Sequence, residues 1–278
     1  MSTQTFPQGY ALDPGWLEER RRLDSLTQHF DPNTLAICRQ IGVGPGWSCL
    51  DVGAGTGSLA TKLAGVVGDS GRVVAVDRDP RFLEPLTASG IEVRSGDVTA
   101  EPLGESEYDL VHCRLLLEHL PERDDVLRSM IRAVRPGGWL LVEDFDMATK
   151  GVVDPPSEVH ARVTDAVVGF LVGRGMDPDL GRRLQGMLRR DGLADVEGAG
   201  FVFQVTADVE NGVPQWELLV DQLAPALLEL SRVTQEDLVA FRELCHDGRT
   251  TMLAPLMMSA WGRRPEPSKS VAAGETVP

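Results

Sequence analysis

Residues 49–60, with the sequence CLDVGAGTGSLA, constrain the fold of this chain more than any other stretch. A short apolar strand is predicted to end at Val52, three alternate glycines form a turn, and an apolar-periodic helix is predicted to begin near Ser58. Glycine has no Cβ atom, so a ligand can lie directly on its main chain. The helix that follows would point its free N–H groups and its positive dipole end at that ligand. The pattern predicts a nucleotide-like cofactor at the carboxyl end of the first strand of a parallel sheet.

The spacing of the glycines favours one class of cofactor over another. The dinucleotide fingerprint is G-x-G-x-x-G, and Ser58 occupies the position of its third glycine. The spacing here is Asp51-x-Gly53-x-Gly55-x-Gly57, with an acid two residues before the first glycine. A carboxylate is unfavourable beside a pyrophosphate and favourable beside a cationic amino acid. This turn resembles motif I of the class I S-adenosylmethionine-dependent methyltransferases.

Composition argues against some classes of partner. The formal net charge is −15 and the isoelectric point is about 4.7, whereas a protein that binds a phosphate backbone needs a basic face. We therefore expect no nucleic-acid partner. No apolar run reaches the length of a membrane span, and the N-terminus lacks the basic-then-apolar pattern of a signal peptide, so we expect a cytoplasmic protein with no membrane partner. The four cysteines are scattered without a CxxC pair, and we expect neither a disulfide nor a metal site.

Residues 16–41 are predicted to form two helices. Apolar residues recur at helical intervals in the first, and Asp31 is predicted to cap a second helix with Pro32 in its first turn. A glycine-rich hinge at residues 42–46 would end that second helix. Because the segment directly precedes the first core strand, residues 1–45 are interpreted as a helical lid over the cofactor. Two ordinary packing helices are the alternative.

Two acidic residues follow the next predicted strands. Asp77 ends the second strand, about 20 residues after the glycine turn, where a carboxylate can accept hydrogen bonds from a ribose diol. Arg78 can lay its guanidinium along an adenine ring. A helix over residues 80–89 leads to a third strand and the turn at residues 96–98, where Asp97 resembles the acid that meets the adenine amino group in this family. The alternative for both acids is an ordinary strand-end turn.

The segment after the fourth predicted strand carries a more specific resemblance to the same family. That strand, residues 108–113, is followed by an apolar stretch that ends in His-Leu-Pro at residues 119–121. The resemblance implies that residues 113–119 line the site where methyl donor and acceptor meet. The Pro-Gly-Gly turn at residues 136–138 is a further family motif, and the resemblance is continuous over residues 48–146. It implies these cofactor contacts: Asp51, Gly53, Ala54, Gly55, Gly57, Asp77, Arg78, Asp97, Val98, Cys113 and Arg114.

The resemblance also implies the fold class, which is α/β. We expect a doubly wound, mostly parallel, seven-stranded Rossmann-like sheet with N-terminal lid helices and inserted cap helices. The methyltransferase domain is predicted at residues 46–264, with substrate-cap helices at about residues 151–195 and 212–247. A final strand is predicted over residues 252–261, and residues 265–278 are predicted to be a disordered, proline-rich tail.

The resulting hypothesis is methyl transfer from S-adenosylmethionine to a small, fairly apolar metabolite or natural product of secondary metabolism, with S-adenosylhomocysteine as product. The acceptor atom is oxygen, nitrogen or carbon. The alternatives are a nicotinamide-dependent oxidoreductase, against which Ser58 and Asp51 count, and a non-catalytic S-adenosylmethionine-binding protein, which the intact motifs do not favour. The substrate and the state of association, monomer or homo-oligomer, are left open.

Positioning is expected to contribute more to this reaction than acid–base chemistry. Good orientation supplies ~7–11 kcal/mol, whereas one general base supplies roughly 10²–10⁴-fold in rate. His119 is the candidate base, because in some small-amine members of the family a histidine after strand four works with a tyrosine from the N-terminal helix, which here would be Tyr10. A structural role for His119 is the alternative. The predicted substrate contacts are Glu118, His119, Phe145 and Trp216.

Overall fold

The computed structural model describes Leu12, residues 17–205 and residues 215–267. Within these residues the backbone forms ten strands and seven α-helices. The strands are β1 (Ser48–Val52), β2 (Arg72–Asp77), β3 (Glu92–Ser95), β4 (Tyr108–Arg114), β5 (Val134–Asp146), β6 (Val152–Asp154), β7 (Ala194–Phe201), β8 (Gln204–Val205), β9 (Thr251–Leu253) and β10 (Leu256–Arg263). The helices are α1 (Glu19–Gln40), α2 (Ser58–Val67), α3 (Arg123–Ala133), α4 (Glu158–Gly173), α5 (Leu180–Arg190), α6 (Gln215–Glu229) and α7 (Gln235–His246).

Seven of the described strands form the central sheet, in the order β3-β2-β1-β4-β5-β10-β7. The neighbours from β3 to β5 are parallel, and β10 runs antiparallel between β5 and β7. The predicted mostly parallel, seven-stranded α/β sheet is therefore confirmed. A second, small antiparallel sheet has the order β6-β9-β8.

Helices cover both faces of the central sheet because both faces of its inner strands are apolar. Along β4, Leu110 belongs to a buried cluster with residues of α1 and α2, whereas its neighbour Val111 belongs to a cluster with residues of α3 and α5. Successive side chains of a strand point to opposite faces, so this alternation produces the doubly wound arrangement. It also leaves the carboxyl ends of β1, β2 and β4 together at one edge of the sheet.

A third buried cluster lies beyond that edge, between α1, α4, α6 and α7. Phe30 of α1, Val163 of α4, Leu223 of α6 and Phe241 of α7 are all buried in it. Helix α5, which falls within the predicted cap at residues 151–195, packs on the sheet instead, since a Cβ atom on its Gly181 would lie 2.8 Å from the backbone oxygen of Asp144. Among the described helices, none combines the length and the apolar character that a membrane span requires.

The N-terminal segment differs from the prediction of two helices. Helix α1 is continuous from Glu19 to Gln40 and contains Pro32. Proline cannot donate an intrahelical hydrogen bond, but Phe30 and Ile37 are buried on either side of it and hold both halves of the helix on the protein. Asp31 is not a helix cap, because its carboxylate binds side chains of other elements.

Two other differences arise at prolines. The predicted helix over residues 80–89 consists of two short 3₁₀ turns, Pro80–Phe82 and Glu84–Ser89, because Pro85, the second residue of the later turn, has no backbone N–H with which to continue a helix from the earlier one. The predicted final strand is divided into β9 and β10, which belong to different sheets and are separated at Pro255. Strand β7 was not predicted, since its two glycines break the apolar alternation.

Candidate active site

A cavity of about 260 Å³ lies at the carboxyl ends of β1, β2 and β4. One part, here called the turn half, is lined by the glycine turn after β1, by Asp77 and by Asp97. The other part, here called the cap half, is lined by residues from the first turns of α1, the segment after β4, and helices α4 and α6. The cavity therefore joins the predicted cofactor site to the predicted acceptor site.

The turn half has a main chain that is open to a ligand. Gly53 and Gly55 have φ angles of +70° and +57°, which favour glycine. A Cβ atom on Gly55 would make ordinary van der Waals contact with the side chain of Leu23, at 3.8 Å and 3.9 Å. The backbone N–H of Gly55 donates to Asp77 Oδ2 at 2.9 Å, and that of Asp79 donates to Asp77 Oδ1 at 3.0 Å. The turn therefore fixes the orientation of the Asp77 carboxylate.

A row of buried polar side chains crosses the sheet below the turn half. His112 Nδ1 lies 2.8 Å from Asp51 Oδ1, and His112 Nε2 lies 3.1 Å from Glu143 Oε2. Thr34 and Ser259 each donate a hydroxyl hydrogen bond of 2.5 Å to the Glu143 carboxylate. Burial opposes the charged imidazole, but the hydrogen bonds that the charged imidazole donates to Asp51 and Glu143 outweigh burial and raise the pKa of His112. We call Asp51, His112, Glu143 and Ser259 the polar row.

Arg114 connects the polar row to helix α1. Its Nη1 atom donates to Thr34 Oγ1 at 2.9 Å, and its Nη2 atom donates to Asp31 Oδ1 at 2.8 Å. The other Asp31 oxygen accepts from Ser58 at 2.6 Å and from Lys62 at 2.5 Å. Burial works to raise the pKa of Asp31, but Arg114, Lys62 and Ser58 lower it overall. The second half of α1 is thus attached to β4 and α2 by charged groups.

Two ionisable residues of the short 3₁₀ turn Leu117–His119 line the cap half. His119 Nε2 lies 3.3 Å from Glu118 Oε1. Burial, followed by the charge of Arg22, lowers the pKa of His119 to about 4. Burial, followed by the charge of Asp144, raises the pKa of Glu118 well above its usual range. The His119 imidazole is therefore unprotonated at neutral pH, and burial favours the protonated form of Glu118.

A family profile described as "Methyltransferase domain" matches residues 50–142, which contain the glycine turn, Asp77, Asp97 and the turn with His119. The chain carries a methyltransferase domain. The match covers the carboxyl ends of β1, β2 and β4, where the turn half of the cavity lies.

Two relatives and one solved structure place this methyltransferase domain in context. The chain is 35% identical over 127 residues to the ubiquinone/menaquinone biosynthesis C-methyltransferase UbiE of Vibrio campbellii, a match that covers 43% of this chain and 48% of the relative. It is 31% identical over 193 residues to methyltransferase str2 of Strobilurus tenacellus, covering 68% of this chain and 64% of that relative. The UbiE matches therefore span about half the length of those curated relatives.

The fold resembles phosphoethanolamine N-methyltransferase 2 of Haemonchus contortus, solved with phosphomonomethylethanolamine and S-adenosylhomocysteine. The TM-score is 0.52 at 18% sequence identity, and the match covers 84% of this chain and 53% of that one. At this identity the likeness concerns the fold of the methyltransferase domain.

Thirteen of the predicted site residues line the cavity of the methyltransferase domain: Asp51, Gly53, Ala54, Gly55, Asp77, Arg78, Asp97, Val98, Arg114, Glu118, His119, Phe145 and Trp216. Gly57 and Cys113 do not line it. A Cβ atom on Gly57 would lie 2.2 Å from Leu86 and 2.8 Å from Leu83, so this glycine permits packing. Cys113 is fully buried in the core. Tyr10 lies outside the described residues.

Other cavity residues of the methyltransferase domain were not predicted. Glu19, Arg22 and His112 line it, and Asp31 and Glu143 support residues that do. The only sequence signal was the presence of His112 and Glu143 inside otherwise apolar strands, because a buried polar residue needs a partner. Among the described residues, no group of three or more histidine, cysteine, aspartate or glutamate side chains could hold a metal ion.

Proposed function

We propose that this chain transfers a methyl group from S-adenosylmethionine to a small, mostly apolar metabolite or natural product bound in the cap half. The observation that carries the proposal is the continuity of the cavity, which joins an open glycine turn to an apolar chamber. Donor and acceptor could then meet without crossing bulk water. The UbiE matches span about half of the length of those relatives. We therefore propose the activity and the substrate class from the cavity of this chain and do not carry them over from the relatives.

The residues of the turn half fit the proposed cofactor. Each oxygen of Asp77 accepts one backbone N–H and keeps a lone pair that can accept a ribose hydroxyl. Asp51 and Asp97 also line this half, and three acids favour a ligand with two positive charges. We assign the adenine amino group to Asp97 and the amino acid portion to Asp51 and the glycine turn. When bound, S-adenosylmethionine supplies an electrophilic methyl group on a positively charged sulfur.

The protein's main contribution in this proposal is positioning. The wall of the cap half is formed by Leu26, Phe145, Leu171, Met176 and Trp216, whose side chains can hold an apolar acceptor and exclude water. Orientation of two reactants in this way supplies ~7–11 kcal/mol.

His119 is the proposed general base for an acceptor that loses a proton. Its lowered pKa of about 4 keeps the imidazole unprotonated at neutral pH, so one ring nitrogen can accept a proton. A general base with a pKa near the working pH contributes roughly 10²–10⁴-fold to the rate, and a base with a pKa of about 4 contributes less because it is weaker. Partnership with Tyr10 stays a prediction, as do the cytoplasmic location, the lack of nucleic-acid and membrane partners, and the state of association.

The cofactor is tested first by calorimetric titration of the purified chain with S-adenosylhomocysteine and, separately, with NADH. We expect micromolar binding of the first and no binding of the second. Binding of NADH alone would replace the proposal with an oxidoreductase. Transfer of a radiolabelled methyl group to a panel of small metabolites then tests catalysis, with His119→Gln as the variant expected to keep cofactor binding and lose turnover. Tight cofactor binding without transfer to any acceptor would favour a non-catalytic protein.

A further inference from the structure

The polar row runs from the core of the sheet to the wall of the cavity. All four members are buried: Glu143 and Ser259 are 0% exposed, His112 is 1% exposed and Asp51 is 3% exposed. Of these four, Asp51 and His112 line the cavity. Burial of ionisable groups inside a sheet costs free energy, and apolar side chains of similar size would fill the space without that cost. A function for the row is therefore expected at the end that meets the cavity.

The register of the central sheet aligns the row. Asp51 of β1 is paired with His112 of β4, and Ser259 of β10 is paired with Glu143 of β5. His112 is paired with Leu141, so Glu143 lies two residues further along β5 and on the same face. The row thus crosses four neighbouring strands, in the order β10, β5, β4 and β1.

The direction of the hydrogen bonds is set from the core end of the row. Arg114 can only donate, so Thr34 accepts its hydrogen bond at 2.9 Å. Thr34 then directs its own hydroxyl hydrogen to Glu143 Oε2 at 2.5 Å, and Ser259 donates to Glu143 Oε1 at 2.5 Å. Glu143 is therefore the acceptor in this part of the row, and His112 Nε2 donates to it at 3.1 Å.

The other ring nitrogen of His112 carries this orientation to the cavity. Nδ1 lies 2.8 Å from Asp51 Oδ1. Burial favours the neutral ring, but the bonds to Asp51 and Glu143 raise the pKa of His112, which supports donation from both nitrogens. Because Glu143 holds the ring in place, the bond from Nδ1 fixes the plane of the Asp51 carboxylate. The Oδ2 atom of Asp51 is left to accept a hydrogen bond from a ligand in the cavity.

We propose that His112 is a positioning residue for the methyl donor, which holds the Asp51 carboxylate so that its Oδ2 atom accepts from the amino group of the donor. This inference rests on the proposed function, which assigns the amino acid portion of the donor to Asp51. His112 acts through Asp51, so its effect is confined to that portion. The adenine and the ribose, assigned to Asp97 and Asp77, bind independently of His112.

Two ligands that differ in the amino acid portion test the proposal. S-adenosylhomocysteine carries it, whereas methylthioadenosine keeps the adenine, the ribose and the sulfur and lacks it. The affinities of both are measured by calorimetry on the full chain at neutral pH. We expect wild type to bind S-adenosylhomocysteine at least about tenfold more tightly, because hydrogen bonds to a charged group contribute on that scale.

Two substitutions of His112 remove the same charge but keep different hydrogen bonds. Glutamine can place its amide nitrogen near the Nε2 position and donate to Glu143, whereas asparagine can place its nitrogen near the Nδ1 position and donate to Asp51. We expect His112→Gln to weaken S-adenosylhomocysteine by about tenfold and to leave methylthioadenosine within about twofold. His112→Asn should keep the affinity for both ligands within about threefold.

Three further variants separate positioning from folding. Asp51→Asn should weaken S-adenosylhomocysteine by about tenfold, and adding His112→Gln to it should have little further effect, because the positioned carboxylate is gone. Val111→Ala is the control for lost stability, since Val111 is fully buried on the opposite face of the same strand, and it should leave the ratio of the two affinities unchanged. If His112→Gln does not fold, Ser259→Ala tests the core end of the row and should weaken S-adenosylhomocysteine alone, by about threefold.

The two ligands also distinguish this inference from the proposed function. If wild type binds neither ligand, the proposed function is wrong and the inference is wrong with it. If wild type binds both equally, the cofactor site stands but the role of Asp51 and His112 is wrong. The inference is also overturned if His112→Gln and His112→Asn lose the same affinity for S-adenosylhomocysteine, or if the row variants weaken both ligands alike. Selective loss in His112→Gln together with retention in His112→Asn supports it.

Discussion

Asp31 of helix α1 and Arg114 at the end of strand β4 form a buried ion pair, with 2.8 Å between Asp31 Oδ1 and Arg114 Nη2. Asp31 is 1% exposed, and its second oxygen accepts from Ser58 and Lys62 of α2. Removal of one partner from such a contact leaves a buried charge without a counter-charge. The pair therefore fixes the second half of α1 to the methyltransferase domain, whereas the first turn of the same helix contacts α6 through the hydrogen bond from Gln222 to Glu19.

This attachment narrows the proposed lid to the first turns of α1. Residues 19–27 line the cavity, whereas residues 31–40 are held by Asp31 and by Thr34. We expect S-adenosylhomocysteine to slow amide hydrogen exchange in residues 19–27 and to leave it unchanged, and already slow, in residues 31–40. Exchange measured by mass spectrometry with and without the ligand checks this. If the ligand slows amide exchange equally along the whole helix, α1 moves as one body. If the ligand changes amide exchange nowhere in the helix, α1 is a fixed wall of the cavity and not a lid.

The polar row predicts a defined pH dependence of stability. The pKa of His112 is raised above 6.5, so its stabilising effect is present below pH 6.5 and is lost as the pH rises through the folded-state pKa. Burial opposes the charged Glu143 carboxylate, but His112, Arg114 and Ser259 lower its pKa below 4.5, so its effect is present above pH 4.5 and is lost as the pH falls. We expect His112→Gln to lower the free energy of unfolding by about 3–5 kcal/mol between about pH 4.5 and pH 6.5.

The measurement for this prediction is urea unfolding of wild type and His112→Gln at mildly acidic and at alkaline pH. The difference between the two proteins should shrink as the pH rises through the folded-state pKa of His112, because the wild-type imidazole then loses its charge. His246→Gln serves as the control, because the His246 side chain is 52% exposed. A difference that is constant with pH would show that His112 contributes only through packing.

Gly57 should matter for stability rather than for cofactor binding. A Cβ atom there would lie 2.2 Å from Leu86, and overpacking of this kind costs about 1–3 kcal/mol. Gly90→Ala is the matched control, since Gly90 has a similar φ of +80° and nothing within 4 Å of its Cβ position. We expect Gly57→Ala to be less stable than Gly90→Ala by about 1–3 kcal/mol in thermal or urea unfolding. Loss of S-adenosylhomocysteine affinity without this extra destabilisation would restore Gly57 as a ligand contact.

Asp77 should contribute directly to cofactor affinity. Asp77→Ala removes the carboxylate that the glycine turn orients, and we expect S-adenosylhomocysteine to bind more weakly by about 1.5–3 kcal/mol, the scale for hydrogen bonds to a charged group. Asp79→Ser is the comparison, because it changes a neighbouring acid whose side chain pairs with exposed Arg81. Calorimetry on both variants gives the answer. Wild-type affinity in Asp77→Ala would mean that the ribose lies elsewhere.

The sequence predicts the centre of the fold closely because local rules determine it. Strand β1 and helix α2 have their predicted bounds, since an apolar run before alternate glycines and a helical apolar period after them leave few alternatives. The Pro-Gly-Gly segment at residues 136–138 lies within β5 rather than before it. Asp77 and Asp97 lie at or just after strand ends, as predicted. Their side chains come close together because parallel strands bring their carboxyl ends to one edge of the sheet.

The remaining features depend on contacts that no local pattern contains. His112 meets Asp51 across 61 residues of sequence, and Ser259 meets Glu143 across 116 residues. Helix α1 continues through Pro32 because Phe30 and Ile37, on either side of the proline, are buried against other elements. Glu19 and Arg22 have the i, i+3 spacing that also joins exposed Glu18 and Arg21, so the spacing alone does not tell which pair is buried.

The polar row also limits how this chain can be recombined with its relatives. The matched "Methyltransferase domain" segment ends at residue 142, one residue before Glu143. It contains Asp51 and His112, whereas Glu143 and Ser259, which complete the row, lie outside it. A chimera that takes residues 50–142 from a relative would have foreign side chains at positions 51 of β1 and 112 of β4. These side chains would then face the native carboxylate of Glu143 on β5. Crossovers that keep all four positions from one parent avoid this mismatch, so the smallest part of this core that can be exchanged intact is larger than the matched segment of residues 50–142.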